Sequence, residues 1–214
     1  MTNAIARRAV KRGAGRPLAH RPKLFVVSAP SGSGKTTLCE RLLASVPSIE
    51  RSVSVTTRTP RRGEVNGRDY HFVSRQEFQR RRQRGEFLEW ARVFGEQYGT
   101  LRRAVERDLR SGRDVLLSID VQGAAQVRRR FHDSVLIFIL PPSTTALRRR
   151  LVARGLDTLE AIQRRLSVAR HEIGQIALFD YVIVNDQLDA ALDQFRSIVV
   201  AERARITSGP RRIR

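Results

Sequence analysis

Ala29-Pro30-Ser31-Gly32-Ser33-Gly34-Lys35-Thr36-Thr37 decides how the rest of the chain is read. It follows a short apolar run, Lys23–Ala29, and leads into a segment with helical spacing (Leu38, Leu42, Leu43) over Thr36–Ser45. That is the strand–loop–helix setting a P-loop requires. Gly32 and Gly34 permit a tight turn whose backbone N–H groups face inward. Lys35 reaches terminal phosphates, and the Thr36 hydroxyl is a ligand for magnesium. The first motif position is Ala29 instead of glycine, the smallest possible departure. All nine residues, Ala29 through Thr37, are therefore expected to bind a nucleoside triphosphate such as ATP. The motif alone does not say what receives the phosphate.

Outward from this loop the chain alternates apolar strand-sized runs with helical segments. Asp114–Ile119, Ser134–Leu140 and Asp180–Val184 read as buried strands. Helices are expected at about Thr100–Ser111, Gln122–Arg130, Ser143–Ala153, Thr158–Ile173 and Leu188–Ile206. Buried strands alternating with helices imply an α/β fold, a parallel sheet covered on both faces. Residues 54–99 break the rhythm with short β-type pieces (Tyr70–Val73, Phe87–Phe94) and one helix opened by a capping box, Ser74 with Glu77. This stretch reads as an α+β insertion.

Composition bounds the function. The chain has 214 residues, 41% hydrophobic and 29% charged, enough to bury a core. Its longest apolar run, Val135–Leu140, falls far short of the roughly 18–20 residues of a membrane span. One cysteine, Cys39, excludes a disulfide framework and fits a reducing, cytoplasmic setting; it reads as a small core residue. The four histidines show no ligand spacing, so no structural metal is expected. There are 41 basic against 21 acidic residues, a net charge of +20, and only Lys11, Lys23 and Lys35 are lysines. The surplus suits polyanionic partners, although runs such as Arg80–Arg82 and Arg128–Arg130 equally read as solvated helix faces. Residues 1–22 form an acid-free basic stretch without a hydrophobic signal core, expected as a disordered tail; 208–214 read as a loose C-terminal tail. Contact with nucleic acid is expected, if anywhere, only through these tails.

The insertion carries the acceptor chemistry. Ser54-Val-Thr-Thr-Arg-Thr-Pro-Arg61 is followed by Gly63-Glu-Val-Asn-Gly-Arg-Asp-Tyr-His-Phe72, Phe87-Leu-Glu-Trp90 and Tyr98-Gly-Thr100. With the P-loop, this order resembles the guanylate kinase family, the ATP:GMP phosphotransferases, over about residues 23–205. The resemblance implies a P-loop core of 23–53, 100–146 and 171–207, a GMP-binding domain at 54–99 and a helical lid at 147–170. It implies that Glu89 reads guanine, helped by the hydroxyls of Ser54 and Thr100. Arg58, Arg61, Tyr70 and Tyr98 would hold the GMP phosphate. Asp120 would contact the acceptor or the magnesium shell, and the lid arginines Arg150, Arg154 and Arg165 would close on ATP.

The chemistry of those residue types agrees. Guanine offers N1–H and an exocyclic amine as adjacent donors, which one carboxylate can accept together and adenine cannot present. Arginine forks onto phosphate oxygens better than lysine. Transfer between phosphates needs charge neutralisation and water exclusion more than a general base. Arg148, Arg149, Arg164 and Arg170 read as surface charges, and Gly155 as a lid hinge. Ser118 stands where the family usually has an acid before Ile-Asp, and the lesser reading of Asp120 is a mere helix N-cap. Asn185-Asp186 matches a stretch near the adenine ring in the family, or a simple turn. The implied reaction is ATP + GMP ⇌ ADP + GDP, with magnesium and with dGMP also accepted, by a monomer or homodimer. The competing readings are a related P-loop kinase of another phosphorylated small molecule, such as a ribose bisphosphate kinase, and an inactive scaffold binding phosphopeptides.

Overall fold

The computed structural model describes residues 21–153 and 158–206. Most of the N-terminal tail, the C-terminal tail, Arg154 and the expected hinge Gly155 lie outside the described residues. In chain order, β1 (Leu24–Ser28) leads through the glycine-rich loop into α1 (Lys35–Ser45) and a short edge strand, β2 (Ile49–Arg51). The insertion contributes β3 (Val55–Thr56), β4 (His71–Phe72), α2 (Arg75–Gln83), β5 (Phe87–Val93) and β6 (Glu96–Leu101). The core resumes with α3 (Arg102–Arg110), β7 (Asp114–Ser118), α4 (Val121–Arg130) and β8 (Val135–Leu140). The helical pair α5 (Thr144–Ala153) and α6 (Leu159–Ile173) precedes β9 (Tyr181–Val184) and α7 (Leu188–Ala204).

The main sheet is wholly parallel, in the order β2-β7-β1-β8-β9. Alternation along β1 shows why both faces must be covered. Phe25 and Val27 pack with Leu38, Cys39 and Leu42 of α1 and with Leu192, Phe195 and Val199 of α7. Leu24 and Val26 face the other way, onto Val105 of α3 and Ala124 and Val127 of α4. With β1 central, its following loop, Ile119-Asp120 after β7 and Asn185 after β9 all emerge at the carboxyl edge of the sheet, where open α/β sheets bind ligands.

The insertion forms its own four-stranded sheet, β4-β3-β6-β5, with mixed pairing. Its small core joins Val55, Phe78 and Phe87, the last two stacked at 4.6 Å between ring centroids. Leu88 of β5 packs instead into the main core beside Val26 and Leu117, which ties the two sheets together.

Two expectations shift, and one strand is new. Thr100 does not open a helix. It lies on β6, and α3 begins two residues later, so the insertion runs through Leu101; pairing of β6 with both β3 and β5 outweighs the helical spacing that follows. The capping box at α2 is half made. The Ser74 side chain accepts from the Glu77 amide (3.1 Å), but the Glu77 carboxylate turns to Arg81 Nε (2.8 Å). The strand β2, with one apolar residue in Ile-Glu-Arg, carries no periodic signal.

Candidate active site

The loop after β1 turns through two left-handed glycines, Gly32 (φ 96°) and Gly34 (φ 85°). Gly34 is also tightly overlaid: a Cβ there would collide with the side-chain amide of Asn185. That amide, buried at the end of β9, donates to Ser33 O at 2.8 Å, and the Asn185 carbonyl accepts from Arg150 Nη2 at 3.0 Å. The end of β9 therefore braces the loop from outside and links it to α5. From α6, Arg165 Nη1 donates to Ser31 Oγ at 3.0 Å.

Lys35 crosses from the loop to β7, its Nζ donating to Ile119 O at 2.9 Å. Burial lowers its pKa, against the pull of Cys39, Asp120, Glu172 and Glu89. The two readings of Asp120 are compatible. One carboxylate oxygen caps α4 by accepting from the Gly123 amide (2.9 Å), and the residue also lines the cleft. Burial raises its pKa, opposed by the Gly123 amide and by Lys35.

Across the cleft, Glu89 on β5 is only 2% exposed. Thr100 Oγ1, opposite it on β6, donates to Glu89 Oε1 at 2.5 Å. Burial pushes the Glu89 pKa up to about 7, opposed by the Thr100 hydrogen bond and reinforced by Asp120. Helix α4 locks the strand in place. Gln126 Nε2 donates to Trp90 O (2.7 Å) and its oxygen accepts from the Trp90 amide (3.3 Å). Arg130 donates to the carbonyls of Phe87 and Leu88.

A single cleft of about 280 Å³ is lined by the loop residues Ala29, Pro30, Ser31, Gly32, Gly34, Lys35, Thr36 and Thr37 and, facing them, by Ser54, Tyr70, Glu89, Tyr98 and Asp120. Thr100 lies buried behind Glu89. Arg58 sits at the rim over the Tyr70 ring (5.4 Å) and pairs with Glu64 (2.8 Å), which also accepts from the Arg61 amide at 2.7 Å. The Arg61 side chain is exposed, as are Arg148, Arg149, Arg164 and Arg170 on the helical pair, whereas Arg150 and Arg165 are half-buried.

Sequence reasoning misses four supporting residues. Glu64 stands inside a quoted motif stretch, six residues after Arg58, and Gly123 follows Asp120 by three; those places are their signal. A Cβ at Gly123 would collide with Glu89 Oε2, so the residue must be glycine for the carboxylate to lie there. Glu172 on α6 is half-buried, and burial pushes its pKa up to about 7, opposed by Lys35 and reinforced by Asp120. Gln126 looks like any helix-surface amide until β5 is placed against it. Asn185, which the sequence suggests as a neighbour of the base or a turn residue, holds the loop.

Comparison with known proteins gives the chain its family. The guanylate kinase family model matches residues 21–202. This chain belongs to the guanylate kinase family. A guanylate kinase of Geobacter metallireducens is 50% identical over 182 residues, covering 85% of this chain and 90% of that protein. One of Thiobacillus denitrificans is 54% identical over 175 residues, covering 82% and 84%. The crystal structure of guanylate kinase from Anaplasma phagocytophilum superposes with a TM-score of 0.74 at 38% identity, covering 87% of this chain and 88% of that one. The guanylate kinase match thus spans both sheets and the helical pair, and the fold is the P-loop core expected from the sequence.

Proposed function

We propose that the cleft transfers the γ-phosphoryl group of ATP to GMP, giving ADP and GDP, with dGMP accepted as well. The observation that carries this reading is that one cavity is walled on one side by the phosphate loop and on the other by a buried carboxylate. The loop amides and Lys35 hold the triphosphate. Glu89 accepts both guanine donors, Thr100 fixes its orientation by occupying Oε1, and Ser54 supplies a further hydroxyl. Binding of those donors favours the ionised carboxylate that burial alone disfavours. Tyr70, Tyr98, Arg58 and Arg61 take the GMP phosphate, with Glu64 aligning the arginines.

The acceptor oxygen is already anionic near neutral pH, so the chain's task is to bring two anions together. Lys35 and the arginines Arg150 and Arg165 neutralise the charge, and Arg154 joins them by family match. Packing of Leu147 and Leu151 against Ile162 and Ala169 makes α5 and α6 one apolar unit, which carries Arg150 and Arg165 together. The donor set fits magnesium: Thr36, in the first turn of α1, and Asp120 line the same cleft, and both offer hard oxygen ligands. Held there by Thr36 and Asp120, magnesium would supply positive charge that offsets that of the phosphates. A cytoplasmic setting is proposed with this activity. No helix among the described residues is long and apolar enough to cross a membrane, and burial pushes the Cys39 thiol up to about 11, keeping it protonated.

An acceptor panel tests the assignment. ADP release is measured with GMP, dGMP, AMP, UMP and ribose phosphates. GMP and dGMP should be turned over and AMP rejected by roughly 10⁴-fold, the scale set by leaving a buried polar site unpaired. Turnover of AMP at the GMP rate would remove Glu89 from the base site. The intact Lys35 and the arginines at the loop are what distinguish this reading from a phosphopeptide scaffold.

A further inference from the structure

Phe94 occupies a position that neither turn chemistry nor core packing explains. With Gly95 it forms the two-residue turn joining β5 to β6, where Val93 pairs with Glu96. Both turn residues have positive φ, 49° at Phe94 and 88° at Gly95, as a primed hairpin turn requires. Asparagine, aspartate or glycine suits the first of these positions; a bulky aromatic at positive φ is strained. Nor does the ring gain by burial, since Phe94 is 50% exposed and stands outside the Val55–Phe78–Phe87 core.

What the ring does touch is Arg165. The guanidinium carbon of Arg165 stands over the Phe94 ring, 5.4 Å from its centroid, while Nη1 of the same group donates to Ser31 of the phosphate loop. Phe94 also lines the cleft. Three parts of the molecule therefore meet at one guanidinium: the acceptor hairpin, helix α6 and the loop. An aromatic face attracts the cation without supplying a hydrogen-bond partner. It takes up none of the guanidinium's N–H groups in a conventional hydrogen bond, so those not given to Ser31 stay available to fork onto phosphate oxygens.

We propose that Phe94 is a positioning residue for phosphoryl transfer: its ring seats Arg165 at the phosphate loop, so that the acceptor domain helps to place an arginine of the lid. This rests on the proposed function, in which Arg165 serves the transferring group. The hairpin carries the strain at Phe94 for the sake of that contact.

The test compares kcat, KM for each nucleotide and Tm in the full-length enzyme and in Phe94→Leu, Phe94→Gly, Phe94→Tyr, Arg165→Ala and the Phe94→Leu/Arg165→Ala double variant. Phe94→Leu should lower kcat about three- to fivefold, the size of an exposed cation–π contact, with KM for ATP and GMP unchanged. Phe94→Tyr should restore kcat. Phe94→Gly should lose as much kcat while raising Tm, because it relieves the positive φ; a merely structural role would move both in one direction. In the Arg165→Ala background, Phe94→Leu should have no further effect. Wild-type kcat in Phe94→Leu and Phe94→Gly, beside a slow Arg165→Ala, would overturn the proposal and leave the transfer site intact. Equal slowing by Phe94→Leu with and without Arg165 would overturn it too. Wild-type kcat in Arg165→Ala would remove Arg165 from the transfer site, and the role of Phe94 would fall with it.

Discussion

The two walls of the cleft are built on different plans. The triphosphate wall comes from one run, residues 29–37, of which all but the buried Ser33 line the cleft. The acceptor wall draws single side chains from places as far apart as Ser54 and Tyr98, and its key carboxylate is held by a helix of the main core, α4. Backbone amides can cradle phosphate in any sequence that makes the turn, so that wall sets the reaction class. Side chains read the shape of a base, so the other wall sets the substrate. The first should fail for every acceptor alike, the second for GMP alone.

The largest expected effect separates the walls most sharply. Lys35→Ala should lower kcat by up to about 10³-fold, the scale for losing one charge-stabilising donor, and by the same factor with any acceptor that is turned over at all. A loss confined to GMP would break the comparison.

Next in size, Glu89→Gln should lower kcat/KM for GMP on the order of 10²-fold, because the amide cannot accept both guanine donors, with KM for ATP unchanged. Its pH profile sharpens the point. With a pKa near 7, wild-type Glu89 protonates as pH falls below neutrality, so KM for GMP should rise there. The GMP phosphate titrates in the same range in both enzymes, so the difference between the two profiles isolates Glu89. The stability effect has the opposite sense. Glu89 holds its proton more tightly in the folded chain than at its ordinary value of 4.5, so its contribution weakens stability as pH rises from about 4.5 to 7. Thermal melts of Glu89→Gln against wild type at pH 5 and 8 should show the variant gaining relative stability at the higher pH.

The smallest effects probe the supports. Gly123→Ala should push Glu89 aside and cost roughly tenfold in kcat/KM for GMP, leaving KM for ATP alone. Asn185→Ala removes one buried hydrogen bond to the loop and should raise KM for ATP by about fivefold, leaving guanine selectivity alone. Steady-state kinetics with each nucleotide varied in turn would show whether the two supports are as separate as the geometry implies.

The same contrast explains which features are legible in the amino-acid sequence. Alternating apolar runs imply the parallel sheet, because strands buried on both faces leave a strong local trace, and the loop announces itself in nine consecutive residues. Glu89, Tyr70 and Tyr98 are legible only through resemblance to a known pattern, since nothing in their local sequence says that they face one cleft. The supports are harder still. Gly123, Gln126 and Asn185 act on residues 34, 36 and 152 positions away along the chain. Such pairs form only when the sheet assembles, and no local propensity foretells them. Thr100 misleads for the reverse reason: the helical spacing after it is real, but strand pairing claims the residue first.

The pairing of β5 with β6 slips by one residue between Phe87 and Glu89. In a regular strand, residues two apart share a side, which would send Glu89 into the small core with Phe87. The slip lets three successive side chains settle in three compartments: Phe87 against Phe78, Leu88 in the main core and Glu89 at the cleft. In the proposed function, guanine selection thus depends on a ladder with one extra residue. Removing Leu88 would make the ladder regular at the cost of the side chain that anchors β5 in the main core.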